Sequence, residues 1–381
     1  MNIELLYRDF KHLRRHMSDK EVKRPRNIIE ANNLTRMIAK ICGATVLERF
    51  TGPDGRVSRR FSVLGLCCFL FWFCLYFWCT CVAKSRDETI IRVMYNTKLK
   101  GYGDDTEMLL MFGLSLYNMW KIPFAFSGNV ECFQRIIDID NAIERLGVSI
   151  NFSRHSKTVF RLALAQVIVS VLRLLYILVS IHTLRVDLPL HRTLHVIISN
   201  AFAVMGLMHF LNYLVVLTHR FKLVNKVLKG MTDHEDREKI FVTSKAYVRS
   251  NISVVREKVS SSKLKTCSRI YGMLYEATER TNELFGFMTL LTVSVAFMII
   301  VLNMFYLMEA TASGLFRKPD LYVNFLFYTL WHFCSSVGII YFIVHFCENT
   351  TKEVHRLCGS VVKSKKEPLY FVPSVCSFIC M

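Results

Sequence analysis

Apolar residues along this chain gather into six long runs, at residues 61–82, 108–127, 159–182, 194–217, 284–308 and 321–346. The first reads FSVLGLCCFLFWFCLYFWCTCV without one charge, and a bilayer core about 30 Å thick takes roughly 20 such residues as helix. Backbone groups that face lipid must be bonded within their own segment, so each run is expected to be a helix. The pattern predicts an all-α, polytopic membrane helical bundle of six transmembrane helices. No repeat or low-complexity linker divides it, so one helical domain is expected.

The intervening stretches set the orientation. With the N-terminus cytoplasmic, the inner segments hold 37 Lys and Arg residues and the outer loops 9, the bias that places basic loops inside. The N-terminal MNIELLYRDFKHLRRH is too charged for a secretory signal, so the first apolar run is expected to serve as an uncleaved insertion signal. The organisation predicted is a cytoplasmic basic segment over 1–60, a membrane bundle over 61–346 with a cytoplasmic loop at 218–283, and a cytoplasmic tail over 347–381. Within that loop, Leu264, Cys267, Ile270, Tyr271, Leu274 and Tyr275 recur at helical spacing. The fifth span is therefore read as the outer end of a much longer helix, and such cytoplasmic extensions as a place for subunits to meet.

Composition agrees: 52% of residues are hydrophobic, more than a water-soluble chain of this length needs for its core. The net charge of +19 belongs mostly to the inner face, where it would meet anionic lipid head groups, and no nucleic acid is required to explain it. None of the 13 cysteines falls in a predicted outer loop, and Cys67, Cys68, Cys74, Cys79 and Cys81 crowd into the first span. A disulfide framework is not expected. Four glycosylation sequons, at Asn33, Asn151, Asn251 and Asn349, lie on the inner side and should stay unmodified.

Polar residues inside the spans carry the functional expectation, because a charge at mid-bilayer costs roughly 2.5–3.5 kcal/mol on insertion scales. Lys121, beside Pro123, and Arg161 lie near inner span ends and can snorkel to the surface. Arg173 lies too deep for that. With Gln166, Ser170 and Ser180 it forms a polar stripe on the third span. Asn324, Tyr328, Trp331 and Ser335, with His332 beside them, form another on the sixth, and Ser199, Asn200, Asn303 and Tyr306 lie at comparable depths. These groups together predict a cavity in the outer half, apolar with a few polar and aromatic groups, as a small-molecule pocket requires. Interhelical hydrogen bonding without a ligand is the competing account of any single residue.

Catalytic chemistry is not indicated. His191 and His195 share one helix face at the i, i+4 spacing that could bind a metal, but no second histidine box accompanies them. No Gly-rich phosphate loop, paired carboxylates or CxxC pair is found. The chain is read as no enzyme, with neither metal nor cofactor.

Three segments carry a family likeness: HRFKLVNKVLK at 219–229, LKTCSRIYGMLYEATERTNELFGFMTLL at 264–291 and DIDNAIERLGV at 138–148. In their order and spacing they resemble the insect gustatory receptor family over nearly the whole chain, to about Lys366. The resemblance implies a tetrameric, ligand-gated, non-selective cation channel in the plasma membrane of chemosensory neurons, binding a small tastant, a sugar or a bitter plant compound. Its partners would be other receptor subunits in a homo- or hetero-tetramer, and membrane lipids. By the same analogy ligand contact falls on Arg173, Tyr176, Asn200, Tyr306, Asn324, Tyr328, Trp331 and His332. Members of that family have seven spans, the last lining the pore and carrying a TYhhhhhQF signature (h, apolar). Here VVKSKKEP is followed by LYFVPSVCSFICM, too short to span. The expectation is a chain truncated at its C-terminus that binds ligand and does not conduct alone.

A G-protein-coupled receptor would put the basic charges outside, and a transporter would show paired halves with broken helices, which only the helix holding Pro123 suggests.

Overall fold

The computed structural model describes residues 27–52, 56–85, 98–124, 126–184, 190–242, 250–317 and 319–364. Two short helices, α1 (Ile28–Ala31) and α2 (Asn33–Ile41), lead into strands β1 (Leu47–Thr51) and β2 (Val57–Phe61). Seven longer helices follow: α3 (Val63–Ser85), α4 (Lys98–Phe124), α5 (Phe126–Arg145), α6 (Phe152–Leu184), α7 (Leu190–Val242), α8 (Ser250–Ala312) and α9 (Pro319–Ser364).

Among the described residues, five helices are long and apolar enough to cross a membrane, over Val63–Ser85, Phe152–Leu172, Thr193–Met231, Ser262–Ala312 and Tyr322–Arg356. The chain is an all-α polytopic membrane bundle. The run expected at 108–127 lies mostly in α4, which starts at Lys98 and so takes in Asp104, Asp105 and Glu107 ahead of Lys121. Those charges keep α4 out of the apolar set, and it packs against α7 and α8. α7 is the central helix, in contact with α3, α4, α5, α6, α8 and α9. Outer faces of α3 and α6 expose Phe71, Phe77, Trp78, Leu164, Ile168 and Leu172, side chains a bilayer would cover.

Helix ends follow local chemistry. Asn27 caps α1 by accepting a 2.8 Å hydrogen bond from the Glu30 backbone N–H. Pro123, which cannot donate to the helix ladder, stands in the last turn of α4. Gly147, at φ 82°, follows α5 where a left-handed residue ends a helix without a Cβ clash, and Asn151 Oδ1 then accepts from the Arg154 N–H at 2.9 Å.

α8 is 63 residues long, about 95 Å at 1.5 Å per residue, so most of it stands outside the apolar slab. Cys267, Ile270 and Leu274 on this extension are buried, with Leu264, Tyr271 and Tyr275 packed around them. They meet Ile136, Ile139 and Ile143 of α5, Phe221 and Val224 of α7 and Val354 of α9 in one core. At its edge lies a buried ion pair. Arg220 Nε donates to Asp140 Oδ1 at 2.8 Å and Nη2 to Oδ2 at 2.9 Å, and the side chains are only 1% and 7% exposed.

The β-hairpin is the departure from an all-α reading. Leu47 pairs with Phe61 and Thr51 with Val57 in antiparallel register, flanking a Gly-Pro-Asp-Gly sequence of turn-forming composition. Side chains fasten it down. Lys40 pairs with Glu48; Arg36 donates to the Arg49 carbonyl at 2.9 Å; Gln134 of α5 accepts from the Val57 N–H at 2.8 Å. The turn after α2 abuts α3 so closely that a Cβ on Gly65 would lie 2.1 Å from the Thr45 carbonyl oxygen.

Candidate ligand cavity

Five helices converge on one cavity of about 100 Å³. α7 gives Ile197, Asn200, Ala201 and Val204, and α8 gives Thr292, Val295, Ala296 and Ile299. Both sets follow the i, i+3, i+4, i+7 spacing of a single helix face. α4 adds Glu107, Met111 and Leu114; α6 adds Val169, Ser170 and Leu174; α9 adds Trp331, His332, Ser335, Ser336 and Ile339. Asn200 lies ten residues into α7 and His332 thirteen into α9, about 15 and 20 Å along each axis. Against a hydrocarbon core about 30 Å thick, that depth is near the middle of the bundle.

The walls are mostly aliphatic and the polar groups few. Asn200 Nδ2 donates to the Val196 carbonyl of its own helix at 2.6 Å, which fixes its amide and leaves the side chain at the cavity wall. His332 Nδ1 stands 3.9 Å from Glu107 Oε1, and the Tyr328 ring packs on the imidazole with centroids 4.5 Å apart. A carboxylate, an imidazole, an amide, hydroxyls and an indole therefore face a largely apolar space. Such a set can orient a small molecule by hydrogen bonds while apolar contact supplies most of the attraction.

Of the eight side chains expected to touch ligand, Asn200, Trp331 and His332 line this cavity. Tyr306 and Tyr328 are buried in a separate apolar cluster with Ala310, Leu315 and Phe325, Tyr328 reaching the cavity only through His332. Asn324 is partly buried one turn before Tyr328 and does not appear in the lining. Arg173 and Tyr176 fall on α6, but their side chains lie outside the described residues.

Other polar groups singled out in the sequence have structural partners. Ser199 faces Ser115 of α4, with hydroxyl oxygens 2.7 Å apart, and Asn303 donates to the Ile299 carbonyl at 2.7 Å. His195 meets the Thr80 hydroxyl at 3.0 Å and stacks on Tyr76, while His191 packs edge-on to Trp78. The i, i+4 histidine pair thus joins α7 to α3.

Glu107 stands one residue before the apolar run at 108–127, so hydropathy alone does not mark it. A carboxylate on the same helical face as Met111 and Leu114 was the available signal. Thr292 and Ser336 carried none, being small hydroxyls of the kind that occur throughout membrane helices.

A family model described as "7tm Chemosensory receptor" matches residues 34–366. The chain belongs to the 7tm chemosensory receptor family. Two Drosophila melanogaster relatives whose names call them gustatory receptors, 28b and 28a, are each 21% identical to it. The first alignment covers 73% of this chain and 60% of the relative, the second 74% and 68%. The chain therefore spans about six-tenths of the first relative's length. The family assignment agrees with the apolar helices in making this a multi-pass membrane protein.

Proposed function

We propose that this chain is a gustatory receptor subunit, part of a ligand-gated non-selective cation channel, and that the five-helix cavity holds its tastant. The observation that carries the reading is the cavity itself: polar and aromatic groups from α4, α7 and α9 face a space of about 100 Å³ enclosed by five helices. Asn200, Trp331 and His332 would touch the ligand directly, with Tyr328 holding His332 in place. Subunits would assemble as tetramers in the plasma membrane of chemosensory neurons, with anionic lipid against the basic inner face.

The test is ligand binding by the purified chain in lipid nanodiscs, screened against sugars and plant alkaloids by thermal shift. Ala296→Leu, which narrows the cavity, and Trp331→Ala, which removes its largest ring, should each weaken any hit by tenfold or more, on the order of 1.4 kcal/mol. A hit that binds both variants as tightly as the parent would place the ligand elsewhere and sink the assignment.

A further inference from the structure

A second cavity lies at the elbow between α4 and α5, within about one helical turn of the first along α7 and α8, where Leu207 and Thr292 line one and His209 and Met288 the other. Its lining includes Arg49 of β1, Lys121 of α4, Asn129 of α5 and His209 of α7, and no carboxylate is among its described residues. Arg49 is held from behind: its guanidinium lies 3.9 Å from the Phe133 ring centroid, and Nη1 donates to the Tyr213 hydroxyl at 3.3 Å. Tyr213 in turn donates to Asn129 Oδ1 at 3.1 Å. The remaining N–H groups of Arg49 have no hydrogen-bond partner among the described residues, and neither has the Lys121 ammonium. Two cations thus converge on one space with no carboxylate among its described lining residues, although the sequence offers thirty acidic residues.

Depth identifies the anion. His209 lies nineteen residues into α7 and Lys121 twenty-three into α4, about 29 and 35 Å along their axes. Lys121 lies six residues before the inner end of the apolar run at 108–127, close enough for its ammonium to reach the level of the inner head groups. The aromatic rings beside Lys121 agree. Trp120 and Phe124 pack together at 5.0 Å and are 63% and 44% exposed, as interfacial anchors are. The cavity is small, about 30 Å³, room for a phosphate oxygen or two, with the rest of the ligand outside along those rings.

We infer that this elbow binds the phosphate of an anionic inner-leaflet phospholipid, gripped by Arg49 and Lys121 while its acyl chains lie along Trp120 and Phe124. Such a lipid would tie the β-hairpin to the elbow of α4. The site is independent of the tastant cavity and of any ligand found there.

The experiment is retention of phosphatidylserine against phosphatidylcholine by the full chain, read by native mass spectrometry after exchange into mixed nanodiscs. The parent should hold at least one phosphatidylserine preferentially. Lys121→Gln, which removes no hydrogen bond or ion pair among the described residues, should lower that preference about fivefold, the equivalent of one surface cation. Arg49→Gln with Lys121→Gln should lower it about twenty-five-fold. Lys226→Gln, an exposed α7 lysine away from the cavity, should leave it unchanged. An equal loss with Lys226→Gln would mean diffuse attraction to the basic face and would overturn the site. Displacement of the lipid by millimolar inorganic phosphate would overturn it as a lipid site and make it one for soluble anions. Because Lys121→Gln disturbs no internal bond, a folded protein that retains the parent preference would also refute the inference.

Discussion

Removing Asp140 tests the strongest electrostatic feature of the fold. Its carboxylate receives two parallel hydrogen bonds from Arg220 at 2.8 and 2.9 Å, and Arg220 is 1% exposed. A third guanidinium nitrogen, Nη1, is buried without a partner among the described residues, so Asp140 is the only anion in contact with this charge there. Asp140→Ala would leave the cation dehydrated and unpaired in the core that joins α5 to α7. Breaking a buried pair this way costs about 3–5 kcal/mol, a fall of two to nearly four powers of ten in the folded-to-unfolded ratio. Replacing both partners by apolar residues of similar size, Asp140→Leu with Arg220→Met, should instead be neutral or stabilising by about 1–4 kcal/mol. The assay is a double-mutant cycle on the purified chain in mixed micelles, titrated with denaturing detergent and followed by helical circular dichroism. The reasoning fails if Asp140→Ala costs under about 1 kcal/mol, or if the double variant loses the sum of the two single losses.

Three further outcomes are expected. Gly65→Ala places a methyl 2.1 Å from the Thr45 carbonyl oxygen, so backbone must move and stability should fall by about 1–3 kcal/mol; an unchanged unfolding midpoint would show that α3 and the turn after α2 do not meet so closely. The hydrogen bond from Lys40 is the main reason that the Glu48 carboxyl is held below its ordinary value of 4.5. A depressed folded-state value gives stability that is present above the ordinary one and lost as pH falls through the folded one. Exchange-corrected protection of the Leu47–Thr51 amides should therefore drop below about pH 4.5 in the parent and be flat there in Glu48→Gln, and equal profiles would refute the linkage. Finally, Asn33, Asn151, Asn251 and Asn349 should remain unglycosylated while a sequon introduced at residues 185–189 is modified, scored by endoglycosidase mobility shift; the reverse pattern would invert the orientation.

Much of the architecture was legible in one dimension, because membrane insertion is decided by properties that are local in sequence. A stretch such as residues 61–82 is long and uncharged whatever surrounds it, and the excess of Lys and Arg on alternate segments needs no contact map. The stripe from Leu264 to Tyr275 was readable for the same reason, since helical periodicity is a property of neighbours three and four apart. Its buried members, Cys267, Ile270 and Leu274, are those that meet α5, α7 and α9.

The cavity was not fixed at that level. Polar residues at matching depth, such as Ser199 and Asn200, are adjacent in sequence and lie 100° apart around the helix. Rotation set by packing turned Ser199 to Ser115 and Asn200 to the cavity, and it placed Tyr306 in an apolar cluster although its depth suited a ligand. Glu107 opposite His332, Arg220 on Asp140 and Arg49 over Phe133 join residues eighty or more positions apart. No local pattern records such pairings, because only the way each helix beds its apolar face against its neighbours brings them together.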